Sequence, residues 1–503
     1  MRDDEGGDEG GGGYAVAEIG LGSPALSGQP DTAVMLPPAD PSAVPVALSR
    51  LRPLLRAHVG ELARLAAPTM VQRGGVLAMS VVDTMMVGNY SATELAYQAI
   101  GFVPYAFVLL FMLGGVMGVL IVTSNAFGAD DLPGCGAAWR RGIPYAALLG
   151  AGGLVFCLFG APLLAMFGQS DELAREGGKV AAILGVALPF VLMTVAGGYF
   201  LEGIKRPLPG MVIMIAANGV NILANWVLVF GAGPIPAMGA QGSAIATASV
   251  WAMQALAINL YIRHLADGHR FGLHVPVAAT WRAWWHDGAR QRMLGYAAGG
   301  SMGTENAAFM GMQLMAGAMG PIALGAYAVA FNAFAVAFMI SLGIGTATAV
   351  RVGFYYGRRD RRQMIVAGWV GLAFNLAVMT LLGIVLIVLA RPIASVYGEE
   401  AALISLAAAL IAFIALVLPL DTVQTVMANA LRGMGETWVP TGFHLVSYFG
   451  VMLPAAAWLG FGLERGPRGL LEAFLIASVV SAAFMCWRFH RLANRGGAGG
   501  LAS

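Results

Sequence analysis

From Leu62 to Arg491 the apolar positions run in nearly continuous blocks, interrupted by glycine, proline or clusters of arginine. A helix needs about 20 apolar residues to cross the hydrocarbon of a bilayer. Inside that hydrocarbon every backbone N–H and C=O must be paired within the segment, which makes each block a helix. The pattern predicts spans over 62–88, 95–122, 141–168, 178–203, 207–231, 239–262, 293–317, 322–350, 364–389, 401–431, 437–461 and 468–489. These are twelve transmembrane helices. The stretch "GAGPIPAMG" between the fifth and sixth is a turn built from glycine and proline. The fold class is an all-α integral membrane protein.

Composition strengthens this picture. Of 503 residues, 58% are hydrophobic and only 11% are charged, with a mean hydropathy of +0.73. Soluble domains carry roughly 25% charged residues, so the solvent for this surface is lipid. A net charge of +2 gives no electrostatic footprint for nucleic acid. Cys135, Cys157 and Cys486 are scattered, with neither a disulfide framework nor zinc spacing. The opening "MRDDEGGDEGGGGY" is acidic and glycine-rich, and "SGQPDTAVMLPPADPSAVP" is proline-rich. Residues 1–60 therefore bury too little to fold and are expected as a disordered tail; their acidic start is not a signal peptide. Residues 492–503 read as a second loose tail.

The basic residues set the orientation. With the N-terminus inside, 22 Lys and Arg fall on the cytoplasmic side and 5 outside. The positive-inside rule then places both termini in the cytoplasm of a multi-pass inner (plasma) membrane protein.

The halves repeat. A shift of 229 lays Leu95 on Leu324, Phe102 on Phe331, Gly114 on Gly343, Gly128 on Gly357 and Asp131 on Asp360; a shift of 230 lays Pro189 on Pro419, Leu201 on Leu431 and Gly203 on Gly433. An even number of spans per half makes the repeat parallel, with its pseudo-twofold axis along the membrane normal and a cleft between two six-helix lobes. The expected layout is an N-lobe over 61–263, a cytoplasmic interlobe loop over 264–292 and a C-lobe over 293–491. Trp281, Trp284 and Trp285 in that loop suit the headgroup level.

Against this background four charges stand inside spans: Arg73, Asp83, Glu305 and Asp421. An intramembrane charge costs about 2.5–3.5 kcal/mol on insertion scales, so it is a functional candidate by default. Arg73 lies about 15 Å along the helix from Asp83 and needs a partner elsewhere. A carboxylate held away from water is suited to bind a cation from one side and release it to the other. Pro419, two residues before Asp421, removes a backbone donor and frees the Ala415 carbonyl, which marks it as a hinge together with Pro189. Polar candidates for the cleft are Gln72, Arg73, Asn306, Asn332 and Gln424. The 27 methionines suit an adaptable binding surface or ordinary core filling.

These residues carry a resemblance over about 60–490. "PTMVQRGGVLAMSVVDTMMVG" followed by "ELAYQAIG", "GVLIVTSNAFGADD", "GSMGTENAAFMGMQLMAGAMGPIALGAYAVAFN" and "LPLDTVQTVMANALRGMGETWVP" resemble the multidrug and toxic compound extrusion (MATE) transporters, in their NorM-like branch. The resemblance implies a monomeric antiporter that exports bulky, often cationic or aromatic drug-like compounds by alternating access. It implies no cofactor, only a proton or sodium gradient, with Asp83 serving the N-lobe and Glu305 with Asp421 the C-lobe. Sodium at Glu305 and Asp421 is the alternative to a proton. Sodium-coupled relatives are expected to have an aromatic residue one turn before the tenth-span acid, where this chain has Val417. Around the two acids, only Ser301 and Thr425 offer an oxygen one turn away, which favours a proton. A lipid-linked oligosaccharide flippase of the same superfamily would need several basic residues in its cavity. A membrane-embedded enzyme would need a motif such as HExxH, which the chain lacks.

Overall fold

The computed structural model describes residues 48–275, 285–397 and 400–495. Most of the expected N-terminal tail (1–47), residues 496–503 of the C-terminal tail, and Trp281 and Trp284 lie outside the described residues. Met1–Leu51 and Arg52–Ser503 are separate units, and the architecture below is that of the second. Its helices are α1 (Leu48–Tyr90), α2 (Ala92–Gly128, with a turn at Val116–Met117), α3 (Leu132–Leu158), α4 (Asp171–Gly203), α5 (Leu208–Phe230) and α6 (Gly239–Arg263). They continue as α7 (Ala289–Ala318), α8 (Pro321–Gly357), α9 (Arg361–Ser395), α10 (Ala401–Gly433), α11 (Trp438–Gly462) and α12 (Gly466–Arg495). A short helix, Gly160–Met166, follows α3.

Eleven of the twelve are long and apolar enough to cross a membrane. The remaining one, α7, carries Arg290, Arg292, Glu305 and several glycines, and packs against α2 and α11. Several helices outrun their expected ends. Helix α1 is already helical at Leu48, so the boundary expected at residue 60 falls inside it. The third span was expected at 141–168, but α3 starts at Leu132. Asp131 caps it by accepting the Gly134 N–H at 2.9 Å, and Pro133 sits in the first turn. That cap outweighs the arginine pair Arg140–Arg141, which suggests a loop but lies inside the helix.

The repeat is built into the backbone. In each lobe the fourth helix is central: α4 packs against α2, α3 and α6, as α10 packs against α8, α9 and α12. Asp131 and Asp360 cap α3 and α9 in the same way. Both follow a residue in the left-handed region, Asp130 at φ 61° and Arg359 at φ 58°. The chain leaves α4 and α10 through matching turns, Arg206 N–H to Leu201 C=O and Glu436 N–H to Leu431 C=O.

The lobes meet along a seam of glycines that obeys the same twofold. Gly114 of α2 lies against Gly299 of α7, and its counterpart Gly343 of α8 against Met70 of α1. Gly128 of α2 lies on the Phe354 carbonyl, and Gly357 of α8 on the Asn125 carbonyl. A methyl group at Gly114, Gly128 or Gly357 would overlap the facing backbone, and at Gly343 it would press on the Met70 side chain at 2.7 Å. These contacts fall in the half of the helices nearer the face that carries the α2–α3, α4–α5 and α8–α9 turns. We call it the basic face, because Arg140, Lys205, Arg358 and Arg361 lie there.

Candidate functional site

Each lobe buries a polar centre around a sequence-predicted carboxylate. In the N-lobe, Asp83 is 8% exposed and joins α1 to α5 and α6. Asn225 Nδ2 donates to its Oδ1 at 2.7 Å and Thr247 Oγ1 to its Oδ2 at 2.6 Å. Asn221 and Asn225 are one helical turn apart, so both stand on the buried face of α5.

In the C-lobe the two acids are linked. Tyr448 Oη donates to Glu305 Oε1 at 3.2 Å. Gln424 Nε2 donates to Tyr448 Oη at 2.8 Å and to Asp421 Oδ1 at 2.6 Å. Ser478 Oγ of α12 reaches the same Asp421 oxygen at 3.2 Å. A hydrogen-bonded chain therefore runs Glu305–Tyr448–Gln424–Asp421 across α7, α11 and α10. Tyr448 is fully buried and lies in a π-helical segment of α11, Val446–Met452. Such segments recur at functional sites. Phe309, Phe334 and Phe474 close the apolar side of the chain. The oxygens expected near the acids are placed differently. Thr425 Oγ1 bonds the Asp421 backbone carbonyl at 3.3 Å. Ser301 Oγ pairs with His444 Nδ1 at 2.6 Å and accepts from Arg432 at 2.8 Å.

Arg73 finds its partner on α4: Glu202 Oε1 lies 3.7 Å away, and the guanidinium stands 5.3 Å from the Tyr199 ring centroid. Glu202 is buried, but its place at a helix end hid it from a search for mid-span charges. Arg432, its counterpart in the repeat, is also buried, although its place in the sequence suggests a loop residue. Of the polar cleft candidates, Gln424 belongs to the Asp421 chain and Gln72 is buried inside the N-lobe against Gly198 and Gly210. Asn306 contacts Met310 on its own helix, and Asn332 is exposed. Helix α10 runs unbroken through Pro419, with the freed Ala415 carbonyl facing Gly383 of α9. Pro189 packs against Gly150 of α3. Trp285 is exposed, and Arg292 stacks over it at 3.8 Å.

A further cluster bridges the lobes at the basic face. Arg351 of α8 is fully buried, 3.4 Å from Glu61 of α1, and donates to His58. Lys205 pairs with Glu61 at 2.7 Å and sits 3.4 Å from the Phe354 ring centroid. Burial holds Lys205 below the ordinary lysine range, against the opposing pull of Glu61. His58 and Gln363 of α9 are 2.7 Å apart.

A model of the MatE family matches the chain twice, over residues 68–227 and 298–458. The second match begins where the 230-residue shift places the start of the first. The probable multidrug resistance protein NorM of Caulobacter vibrioides is 35% identical over 462 residues, 92% of this chain and 97% of that protein. The multidrug resistance protein PmpM of Pseudomonas aeruginosa is 31% identical over 452 residues, 88% of this chain and 93% of that protein. Among solved structures, the eukaryotic MATE transporter AtDTX14 shares the fold with a TM-score of 0.78 at 18% identity, over 88% of this chain and 99% of that chain. An outward-facing MATE family transporter shares it at 0.78 and 16%, over 88% and 97%. With the family matched in both lobes, this chain belongs to the MatE family, the multidrug and toxic compound extrusion transporters.

Proposed function

We propose that the protein is a proton-coupled antiporter that exports bulky, often cationic or aromatic drug-like compounds by alternating access. Both termini and the basic face are then cytoplasmic, as the excess of Lys and Arg there requires. The observation that carries the reading is the hydrogen-bonded chain Glu305–Tyr448–Gln424–Asp421, half-buried at Glu305 and buried at the other three residues. It holds two carboxylates in one lobe with a hydroxyl and an amide between them. Protonating either acid removes its charge and turns one carboxylate oxygen into a donor, which weakens the charge-assisted bond from Tyr448 or Gln424 and shifts the balance between packings of α7, α10 and α11. That is how a proton would bias the lobe between two packings.

The donors around Asp421 favour a proton over sodium. Gln424 Nε2 and Ser478 Oγ turn hydrogens toward the carboxylate, whereas a bare cation needs several oxygen lone pairs in place of its water. The close glycine contacts between the lobes at the basic face are what an outward-facing state requires. The names of the relatives, multidrug resistance proteins, support the substrate class. The Arg73–Glu202 pair counts against a flippase, because the cleft arginine already has a carboxylate partner.

The test is efflux from proteoliposomes with purified Glu305→Gln and Asp421→Asn. Neutral isosteres relieve burial of charge, so both should fold while losing coupled efflux. Wild-type rates in both variants would overturn the assignment.

A further inference from the structure

Away from the cleft, the N-lobe carries a cavity of about 440 Å³ on its flank. Helices α3 and α6 form its walls, Phe190 and Met193 of α4 its floor, and Leu273 and Val275 of the segment after α6 close its basic end. Its lining is mostly apolar, and its neutral polar side chains, Trp139 and Asn259, are paired with each other. Trp139 Nε1 donates to Asn259 Oδ1 at 3.0 Å, and Asn259 Nδ2 to the Ala255 carbonyl at 2.8 Å. Leu256 and Leu260 on the α6 wall are exposed, and α6 packs against α4, α5 and α2 of its own lobe, which points the mouth of the cavity away from the lobe seam.

Two charges interrupt the apolar lining, and both sit at the basic end: Arg140 and Arg263. Neither is paired with a carboxylate among the described residues. Arg140 donates to the Gly272 carbonyl, while its buried Nε has no partner. The acid of the adjoining loop, Asp267, is held by both nitrogens of Arg206 at 2.9 and 2.7 Å. An elongated apolar slot with two uncompensated guanidinium groups at one end matches one ligand chemistry: an acyl chain joined to an anionic headgroup. Basic pockets between transmembrane helices on the cytoplasmic side take such headgroups.

We propose that this groove is a binding site for an anionic phospholipid of the leaflet at the basic face, with an acyl chain between α3 and α6 and its phosphate on Arg140 and Arg263. The site rests on the N-lobe alone and does not depend on the transport reading. It would tie α3 to α6, which otherwise meet chiefly through α4.

Trp139 lines the groove and provides the probe. The protein is reconstituted in phosphatidylcholine with increasing fractions of phosphatidylglycerol carrying brominated acyl chains, which quench nearby tryptophan. The expected result is a quenching component that saturates at low phosphatidylglycerol and is absent with brominated phosphatidylcholine. It should vanish in Trp139→Phe. Arg263→Gln, at an exposed position with no carboxylate partner among the described residues, should shift its midpoint about fivefold, the effect of one basic residue near a charged surface; adding Arg140→Gln should shift it further. Quenching that rises only in proportion to brominated lipid, is equal for the two headgroups, survives Trp139→Phe, or ignores Arg263→Gln would overturn the site.

Discussion

The glycine seam allows the alternating-access reading to be tested by one methyl group. In Gly128→Ala the new Cβ would lie 1.9 Å from the Phe354 carbonyl oxygen, roughly 1.6 Å short of the ~3.5 Å at which such atoms rest. In Gly357→Ala the distance to the Asn125 carbonyl oxygen is 2.0 Å. Both obstacles are backbone, so no side chain can swing away, and relief requires α2 to part from α8. Overpacking of this kind costs about 1–3 kcal/mol. It falls only on the state in which the seam is closed. The gain of up to ~1 kcal/mol in helix propensity falls on both states and cancels. The equilibrium should therefore move toward the seam-open state by about 5–150-fold for each substitution. The two glycines lie on one helix crossing, so the double variant should show less than the product of the single effects. Spin labels at exposed positions 129 and 362, one in each lobe, read the separation at the basic face after the native cysteines are replaced. Gly219→Ala, where nothing lies within 4 Å of the added methyl group, is the control. Folded Gly128→Ala and Gly357→Ala proteins with the wild-type distance distribution, or an equal shift in Gly219→Ala, would refute the reasoning.

Three further outcomes follow from the buried polar centres. Tyr448→Phe removes the hydroxyl between Glu305 and Gln424; it should cost about 0.5–1.5 kcal/mol of stability and slow coupled efflux, which thermal denaturation and proteoliposome assays would measure. Asp83→Leu strands Thr247 Oγ1 and should destabilise by about 1–3 kcal/mol, while Asn225 Nδ2 keeps its bond to the Asn221 carbonyl at 3.0 Å; Asp83→Asn keeps an acceptor and should be milder, and equal melting temperatures for the two would contradict this. Arg73→Ala or Glu202→Ala alone leaves a buried charge without its partner, at about 3–5 kcal/mol. The paired variant Arg73→Gln with Glu202→Gln should recover much of that loss in the same denaturation assay.

The fold was legible because lipid imposes its rules on sequence directly. Block length gave the spans, and proline, glycine and arginine marked their limits. The expected limits shift where a helix obeys another constraint: the Asp131–Pro133 cap starts α3 earlier than hydropathy suggests. The seventh span, expected at 293–317, forms as α7 despite weak hydropathy because α2 and α11 cover it. The three carboxylates were visible because charge in an apolar run is costly. Their partners were less so. Asn225, Thr247, Tyr448 and Ser478 are ordinary single residues in a membrane helix, and only packing shows that they converge on an acid. Glu202 and Arg432 sit at helix ends, where sequence alone suggests solvent; the structure buries both. Polarity within a span, the property that singles out Asn306 and Asn332, says nothing by itself about which face a residue occupies.

The central claim is that protons drive export through the Glu305–Asp421 chain. The most direct test loads proteoliposomes with a fluorescent cationic drug and imposes either a proton gradient alone or a sodium gradient alone, with the membrane potential clamped. The wild type should move drug under the proton gradient, and Glu305→Gln and Asp421→Asn should not. Movement under the sodium gradient at equal pH, lost when potassium replaces sodium, would contradict it.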